Sequence, residues 1–284
     1  MNPTTDWFDV DEIEPDTYQI TEARGVLPCN SFVVDGGDEA LVIDTGLGIG
    51  DLRATVADLV DPVPRLLLTH THWDHIGAAH QFDDAVVHDR ERTADGSVTI
   101  DGLSDEFVDR PDQFVASWRD LDRTFPKGFD PDEYTILPAT NVGAIEPGDT
   151  LTVGNRELEL LAVPGHSPGQ LGALDHEAGI LFGGDVVGIG GDLYAHFEDC
   201  DIEAYIETFD DLLDHYNAGA FDVLATGHNR PYRDEEIEVL AEMRAGLADI
   251  LNERGQYETI DTDWGPARRY DFDEFTVLTG TDVV

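Results

Sequence analysis

Four potential metal-binding side chains crowd into six residues, His70-Thr71-His72-Trp73-Asp74-His75, a density that little except metal binding explains. The apolar run before them, Leu66-Leu67-Leu68, reads as a buried strand, and the small residues after them, Ile76-Gly77-Ala78-Ala79-His80, let the chain turn into a helix. The cluster therefore sits on a loop leaving a strand end, where α/β proteins place their chemistry. Histidines at i and i+2 in extended chain point the same way, so His70 and His72 can hold one ion, while Asp74 and His75 are offset towards a second.

Three later loops repeat the pattern: Pro164-Gly165-His166-Ser167-Pro168-Gly169, Gly183-Gly184-Asp185 and Thr226-Gly227-His228-Asn229. In each, a strand-like run ends in glycine and then offers one ligand-type residue. The isolated histidines His80, His88, His176 and His215 lack that setting and read as capping, surface or packed residues.

Around these loops, Thr17 to Thr21, Asn30 to Val34 and Glu39 to Asp44 form an opening meander with a turn at Gly36-Gly37, which ends in Asp44-Thr45-Gly46-Leu47-Gly48. Helical spacing follows over Asp51 to Val60, then strands at Arg65 to Thr69 and Ala85 to His88. Residues 89 to about 145 break the rhythm and read as a helical insert, with Glu106 to Arg123 apolar at helical spacing. Strand-like runs resume at Leu151 to Val153, Glu157 to Val163, Gly172 to Leu174 and Gly179 to Gly183, giving two similar β-rich halves. Helices are expected over Ile202 to Tyr216 and Glu235 to Glu253, with a strand at Phe221 to Ala225 between them. The tail from Tyr257, with Trp264, Tyr270, Phe272 and Phe275, should close over a pocket or pack as an edge hairpin. We expect one domain over 1–284, with its C-terminal helix and tail at about 232–284.

Charge narrows the partners. Sixty-one Asp and Glu against 16 Lys and Arg give a formal net charge of −45, and Lys127 is the sole lysine. The acids are spread along the whole chain, which reads as a coat suited to strong salt, where screening removes self-repulsion. The composition resembles that of proteins from halophilic archaea. Binding to nucleic acid needs basic stripes, and there are none. A membrane span is not expected without a long apolar run. The opening residues lack a basic and apolar leader, and Cys29 and Cys200 suit free thiols, so a cytoplasmic protein with a small-molecule substrate is expected. The sequence names no oligomeric state.

From Asp44 to His228 the chain resembles the metallo-β-lactamase superfamily. That resemblance implies an α/β fold, the αβ/βα four-layer sandwich with a helical insert. It also implies that His70, His72 and His166 hold one metal, that Asp74, His75 and His228 hold a second, and that Asp185 bridges them. Asp44 matches the acid that supports the metal loop from behind. Five neutral imidazoles and two carboxylates would leave two divalent ions with surplus positive charge. Water held between ions about 3.5–4 Å apart would then be hydroxide at neutral pH, with Asp74 and Asp185 counted as catalytic. Imidazole with carboxylate suits zinc, with manganese or iron as alternatives.

Within the superfamily, Asp185 departs from the antibiotic-cleaving enzymes, His72 from the flavodiiron type, and Gly188 from lactonases that place a Tyr there. Glyoxalase II is matched partly, by Arg268, Arg269 and Tyr270. A branch with acyl-CoA thioesterase activity is similar through Ile43 to Gly48, Gln81 to His88 and Gly184-Asp185-Val186-Val187. Substrate contacts are expected from Tyr194 and His196, and from an aromatic insert of Phe107, Phe114, Trp118, Phe125 and Phe129. The expected activity is a binuclear metal hydrolase acting on a thioester or ester. The alternatives are a lactonase or phosphodiesterase of the same fold and, in another reaction class, a persulfide dioxygenase with one iron.

Overall fold

The computed structural model describes residues 7–23, 26–262 and 265–281, so Trp264 of the tail lies outside the described residues. The chain divides into two compact units, Met1–Glu157 and Leu158–Val284.

The first unit carries strands β1 (Phe8–Glu14), β2 (Thr17–Glu22), β3 (Cys29–Asp35), β4 (Ala40–Ile43), β5 (Arg65–Leu67), β6 (Ala85–His88) and β7 (Gly143–Ile145), which form one sheet in that order. The first four are antiparallel, as short turns demand, and β4 to β7 are parallel. Consequently the loops after β4, β5 and β6 leave the same end of the sheet. Strand β4 is buried throughout, the mark of a strand covered on both faces. Helix α1 (Leu52–Ala57) is capped by Asp51, whose side chain accepts from the Ala54 N–H. The core holds Ile20, Val33, Val42, Leu52, Leu66, Leu68 and Val87.

The insert contains α2 (Arg110–Asp120), shorter than the span Glu106 to Arg123 expected from spacing. Pro111 sits in the first turn, where its missing N–H costs nothing, and the chain before it makes a short 3₁₀ turn at Asp105–Phe107 instead. Strand β8 (Thr150–Val153) follows the insert.

The second unit holds most of β9 (Arg156–Ala162), then β10 (Leu171–Asp175), β11 (Ile180–Phe182), β12 (Leu193–Ala195), α3 (Ile202–Asn217), β13 (Val223–Ala225), β14 (Tyr232–Arg233), α4 (Val239–Leu251), β15 (Glu258–Thr262), β16 (Gly265–Asp271) and β17 (Thr276–Gly280). Strands β9, β10, β11, β13 and β14 pair in that order. Because β10 is antiparallel to both β9 and β11, and β13 is parallel to β11, strands β9, β11 and β13 run the same way. Their following loops, which carry His166, Asp185 and His228, leave one sheet end. Helices α3 and α4 pack together around Phe209, Leu212, Leu240, Met243 and Leu247. Arg244 clasps Asp210 across them with two bonds of 2.9 Å.

The tail is a three-stranded antiparallel meander, β15-β16-β17, whose last strand adds β12 as a parallel partner. Among the described residues no helix is long and apolar enough to cross a membrane.

Candidate metal centre

In the first unit the metal motif begins three residues beyond β5 and is buried: His70, His72, Asp74 and His75 are all under one-tenth exposed. The three imidazole rings gather, with ring centroids 4.6 Å apart for His70 and His72 and 4.1 Å for His70 and His75. Their orientation comes from Asp44, which leaves β4 in the left-handed region at φ 58°, a conformation Asp tolerates better than most residues. Its Oδ1 accepts from the Thr69 N–H at 2.8 Å and its Oδ2 from the Thr69 hydroxyl at 2.7 Å. Oδ2 also stands 2.9 Å from Nδ1 of His75. A carboxylate can only accept, so the proton of neutral His75 resides on Nδ1 and the lone pair on Nε2. The Thr69 hydroxyl has given its hydrogen to Asp44, so its oxygen, 3.1 Å from Nδ1 of His70, accepts from that ring in turn. One carboxylate thus sets both tautomers, the usual way a ligating imidazole is oriented from behind.

Two further buried carboxylates support this loop, and the sequence reading did not single out either. Glu91, in a 3₁₀ turn after β6, is 1% exposed and accepts from the N–H and hydroxyl of Thr71, between the first two histidines, at 3.0 and 2.9 Å. Glu22, at the end of β2, gathers the N–H groups of Leu47, Ile49 and Gly50 at 2.7, 3.1 and 3.1 Å, and the Trp7 indole at 2.7 Å. Burial pushes its carboxyl up, opposed by these four bonds. It fixes the loop that continues from Asp44, where Thr45 donates from both N–H and hydroxyl to the His75 carbonyl at 2.8 and 2.9 Å.

Trp73 anchors the insert. Its ring is 4% exposed and lies 6.1 Å from Phe114 of α2, which stacks on towards Trp118 at 5.5 Å. Trp118 continues to Trp7 at 5.0 Å and Phe125 at 6.0 Å, and Phe107 covers the His72 ring at 4.4 Å. Among the described residues, the buried Trp118 indole N–H has no hydrogen-bond partner. The aromatics of the insert therefore form a continuous wall that starts at the metal motif.

In the second unit, Gly165 lets the His166 loop pass against α3: its φ is 132°, and a Cβ there would lie 2.4 Å from the Tyr205 ring. Nε2 of His228 lies 2.9 Å and Nε2 of His166 lies 3.5 Å from Oδ2 of Asp185. Two imidazoles and a carboxylate thus converge within this unit. Nδ1 of His166 faces the Tyr194 carbonyl at 3.2 Å, and since a carbonyl only accepts, the lone pair again falls on Nε2. Gln170 and Asn229 hold the surrounding loops: the Gln170 amide oxygen accepts from the Asp185 N–H at 3.3 Å, and the Asn229 amide donates to the Gly188 carbonyl at 2.8 Å. Tyr194 follows on β12, its phenol pushed up to about 12 by burial and by Asp192 and Asp185, so it stays a neutral O–H. His196 stacks on Phe197 at 4.5 Å, and Phe197 meets the His166 ring edge-on at 5.6 Å.

The histidines outside the motif stand elsewhere: His88 pairs with Glu146 at 3.2 Å and His176 with Glu159 at 2.7 Å. Burial lowers His80, and His215 lies in the last turn of α3. Buried imidazoles, those of His70, His75 and His166 with lone pairs on Nε2, together with neighbouring carboxylates are a donor chemistry that fits divalent transition metals, so these clusters could hold metal ions.

The chain is 29% identical over 236 residues to acyl-coenzyme A thioesterase MBLAC2 of Gallus gallus, covering 78% of this chain and 80% of that protein. It is 29% identical over 185 residues to hydroxyacylglutathione hydrolase GloC of Haemophilus influenzae, covering 63% and 75% respectively. Among solved structures, a metallo-beta-lactamase family protein from Thermus thermophilus superimposes with a TM-score of 0.59 at 24% identity, over 85% of this chain and 82% of that one. Residues 24–241 match the metallo-beta-lactamase superfamily pattern, and the chain belongs to the metallo-beta-lactamase superfamily.

Proposed function

We propose that this chain, a metal-dependent hydrolase, cleaves thioesters with two divalent ions, His70, His72 and His166 holding the first, Asp74, His75 and His228 the second, and Asp185 both. The observation that carries the metal reading is the tautomer control by Asp44, which places two imidazole lone pairs on Nε2 in one buried turn. Zinc suits the set. When bound, the ions would supply Lewis acidity towards the acyl carbonyl and activate water for attack.

The choice of thioester rests on relatives whose names describe hydrolysis of acyl groups carried on sulphur, in coenzyme A and in glutathione. The chain's own residues add apolar aromatics around the motif, Phe107 on the His72 ring and Phe114 between Trp73 and Trp118, suited to an acyl chain. In the second unit, Tyr194 offers a neutral hydroxyl and His196 an imidazole, and this reading assigns substrate contacts to both. The net charge of −45 disfavours polyanionic nucleic acid as substrate.

A screen over acyl-CoA and glutathione thioesters, lactones, phosphodiesters and β-lactams, in strong salt with zinc or manganese, tests this reading. Thioesters should be turned over at least tenfold more efficiently than the other classes. Preferential turnover of phosphodiesters would refute the acyl assignment.

A further inference from the structure

The family match ends at residue 241, yet the chain continues through the rest of α4 into the meander β15-β16-β17. That meander is tied to the metal loops of its own unit. Strand β17 pairs in parallel with β12, Leu193 opposite Val277, Tyr194 opposite Leu278 and Ala195 opposite Thr279. The Thr276 N–H donates to Oδ1 of Asp192 at 2.9 Å, fastening the start of both strands. Leu193, Ala195, Val277 and Thr279 are all 3% exposed or less, so the pairing is a packed one.

Strand β12 is only three residues long and lies at the edge of its sheet, with β17 as its neighbour there. Three residues of strand do not hold a backbone in place without a partner. The middle residue of β12 is Tyr194, whose carbonyl receives the Nδ1 proton of His166 at 3.2 Å and the Cys200 thiol at 3.4 Å. Its ring also occupies the space over Gly188, where a Cβ would lie 2.6 Å from the ring, three residues beyond Asp185. Both contacts depend on where β17 holds β12.

We infer that the C-terminal meander is a positioning element of the metal centre: by pairing with β12, strand β17 sets the Tyr194 carbonyl that orients His166 for metal binding. The inference rests on His166 being a metal ligand, as proposed above. Tyr194 acts here through its backbone, as a positioning residue, whatever its side chain does for substrate. Partners behind a ligating imidazole are worth about 10- to 100-fold in metal affinity, which sets the effect to look for.

The test uses the full-length chain stripped of metal and titrated with cobalt(II) alone, followed by visible absorption. Leu278→Pro breaks the β12–β17 ladder opposite Tyr194. Thr259→Pro puts the same lesion in the outer β15–β16 pair, opposite Arg268 and away from β12. His166→Ala reports the ligand itself. The expected result is that His166→Ala and Leu278→Pro each weaken the tighter cobalt site by about tenfold or more and alter its spectrum, whereas Thr259→Pro changes neither. Should Leu278→Pro fail to fold, Asp192→Ala, which removes the side-chain clasp to Thr276 without touching the backbone of β12 or β17, decides: weaker cobalt binding supports the inference and unchanged binding overturns it. If His166→Ala leaves cobalt binding intact, the ligand assignment fails and takes the inference with it. If His166→Ala weakens binding but Leu278→Pro behaves like Thr259→Pro, the ligand assignment stands and the role of the meander is overturned.

Discussion

Oδ2 of Asp44 stands 2.9 Å from Nδ1 of His75, and the same oxygen accepts the hydroxyl hydrogen of Thr69 at 2.7 Å. A single carboxylate outside the candidate ligand set thereby decides which nitrogen of two imidazoles, His75 directly and His70 through Thr69, carries the lone pair. Asp44→Asn keeps the shape and tolerates the left-handed backbone, but its amide donates where the carboxylate accepted. Metal affinity should fall by about 10- to 100-fold with the fold retained, as read by chelator competition and circular dichroism. Wild-type affinity in Asp44→Asn would show that tautomer control is not what the residue does.

Glu22→Ala removes one acceptor and leaves four N–H donors, three from the loop and one from Trp7, buried without it. Each such loss costs about 1–3 kcal/mol before relaxation and water entry, so a net destabilisation of about 3 kcal/mol is expected. Chemical denaturation with matched m-values measures it. A change below about 0.5 kcal/mol, the range of ordinary surface substitutions, would mean the loop is held by something else.

The candidate metal ligands stand out in the sequence for local reasons: four crowd into His70 to His75, and the other three each follow an apolar run and a glycine, as in Gly165-His166 and Gly184-Asp185. Glu22 and Glu91 were not, and the reason is composition. Among 61 acidic residues, a buried carboxylate with four donors looks the same in sequence as one in solvent. The pairing of β12 with β17 was invisible for another reason: a parallel ladder between distant three- and five-residue strands leaves no local periodicity to read. Spacing did find the insert helix, but apolar residues before Pro111 extended it beyond its observed start at Arg110.

Gly165→Ala places a methyl group 2.4 Å from the Tyr205 ring in a backbone conformation that L side chains rarely adopt. The His166 loop must move away from α3, at a cost of about 1–3 kcal/mol. Thermal unfolding should drop by several degrees and metal affinity should fall with it. A substitution without effect on either would show that the loop does not need this close approach.

Salt should stabilise the chain. With a net charge of −45, raising the ionic strength to about 1 M shortens the screening length to about 3 Å and weakens self-repulsion. The unfolding midpoint is expected to climb steadily between about 0.1 and 2 M potassium chloride. A flat or falling midpoint would contradict the reading of the acidic coat as an adaptation to strong salt.

The most direct measurement is a titration of zinc into the metal-free chain while acyl-CoA hydrolysis is followed under strong salt. The proposed pair of ligand sets sharing Asp185 predicts that activity rises until two equivalents are bound and is lost in Asp185→Ala. Activity that saturates at one equivalent, or a two-zinc chain that leaves thioesters intact, would contradict the binuclear thioesterase.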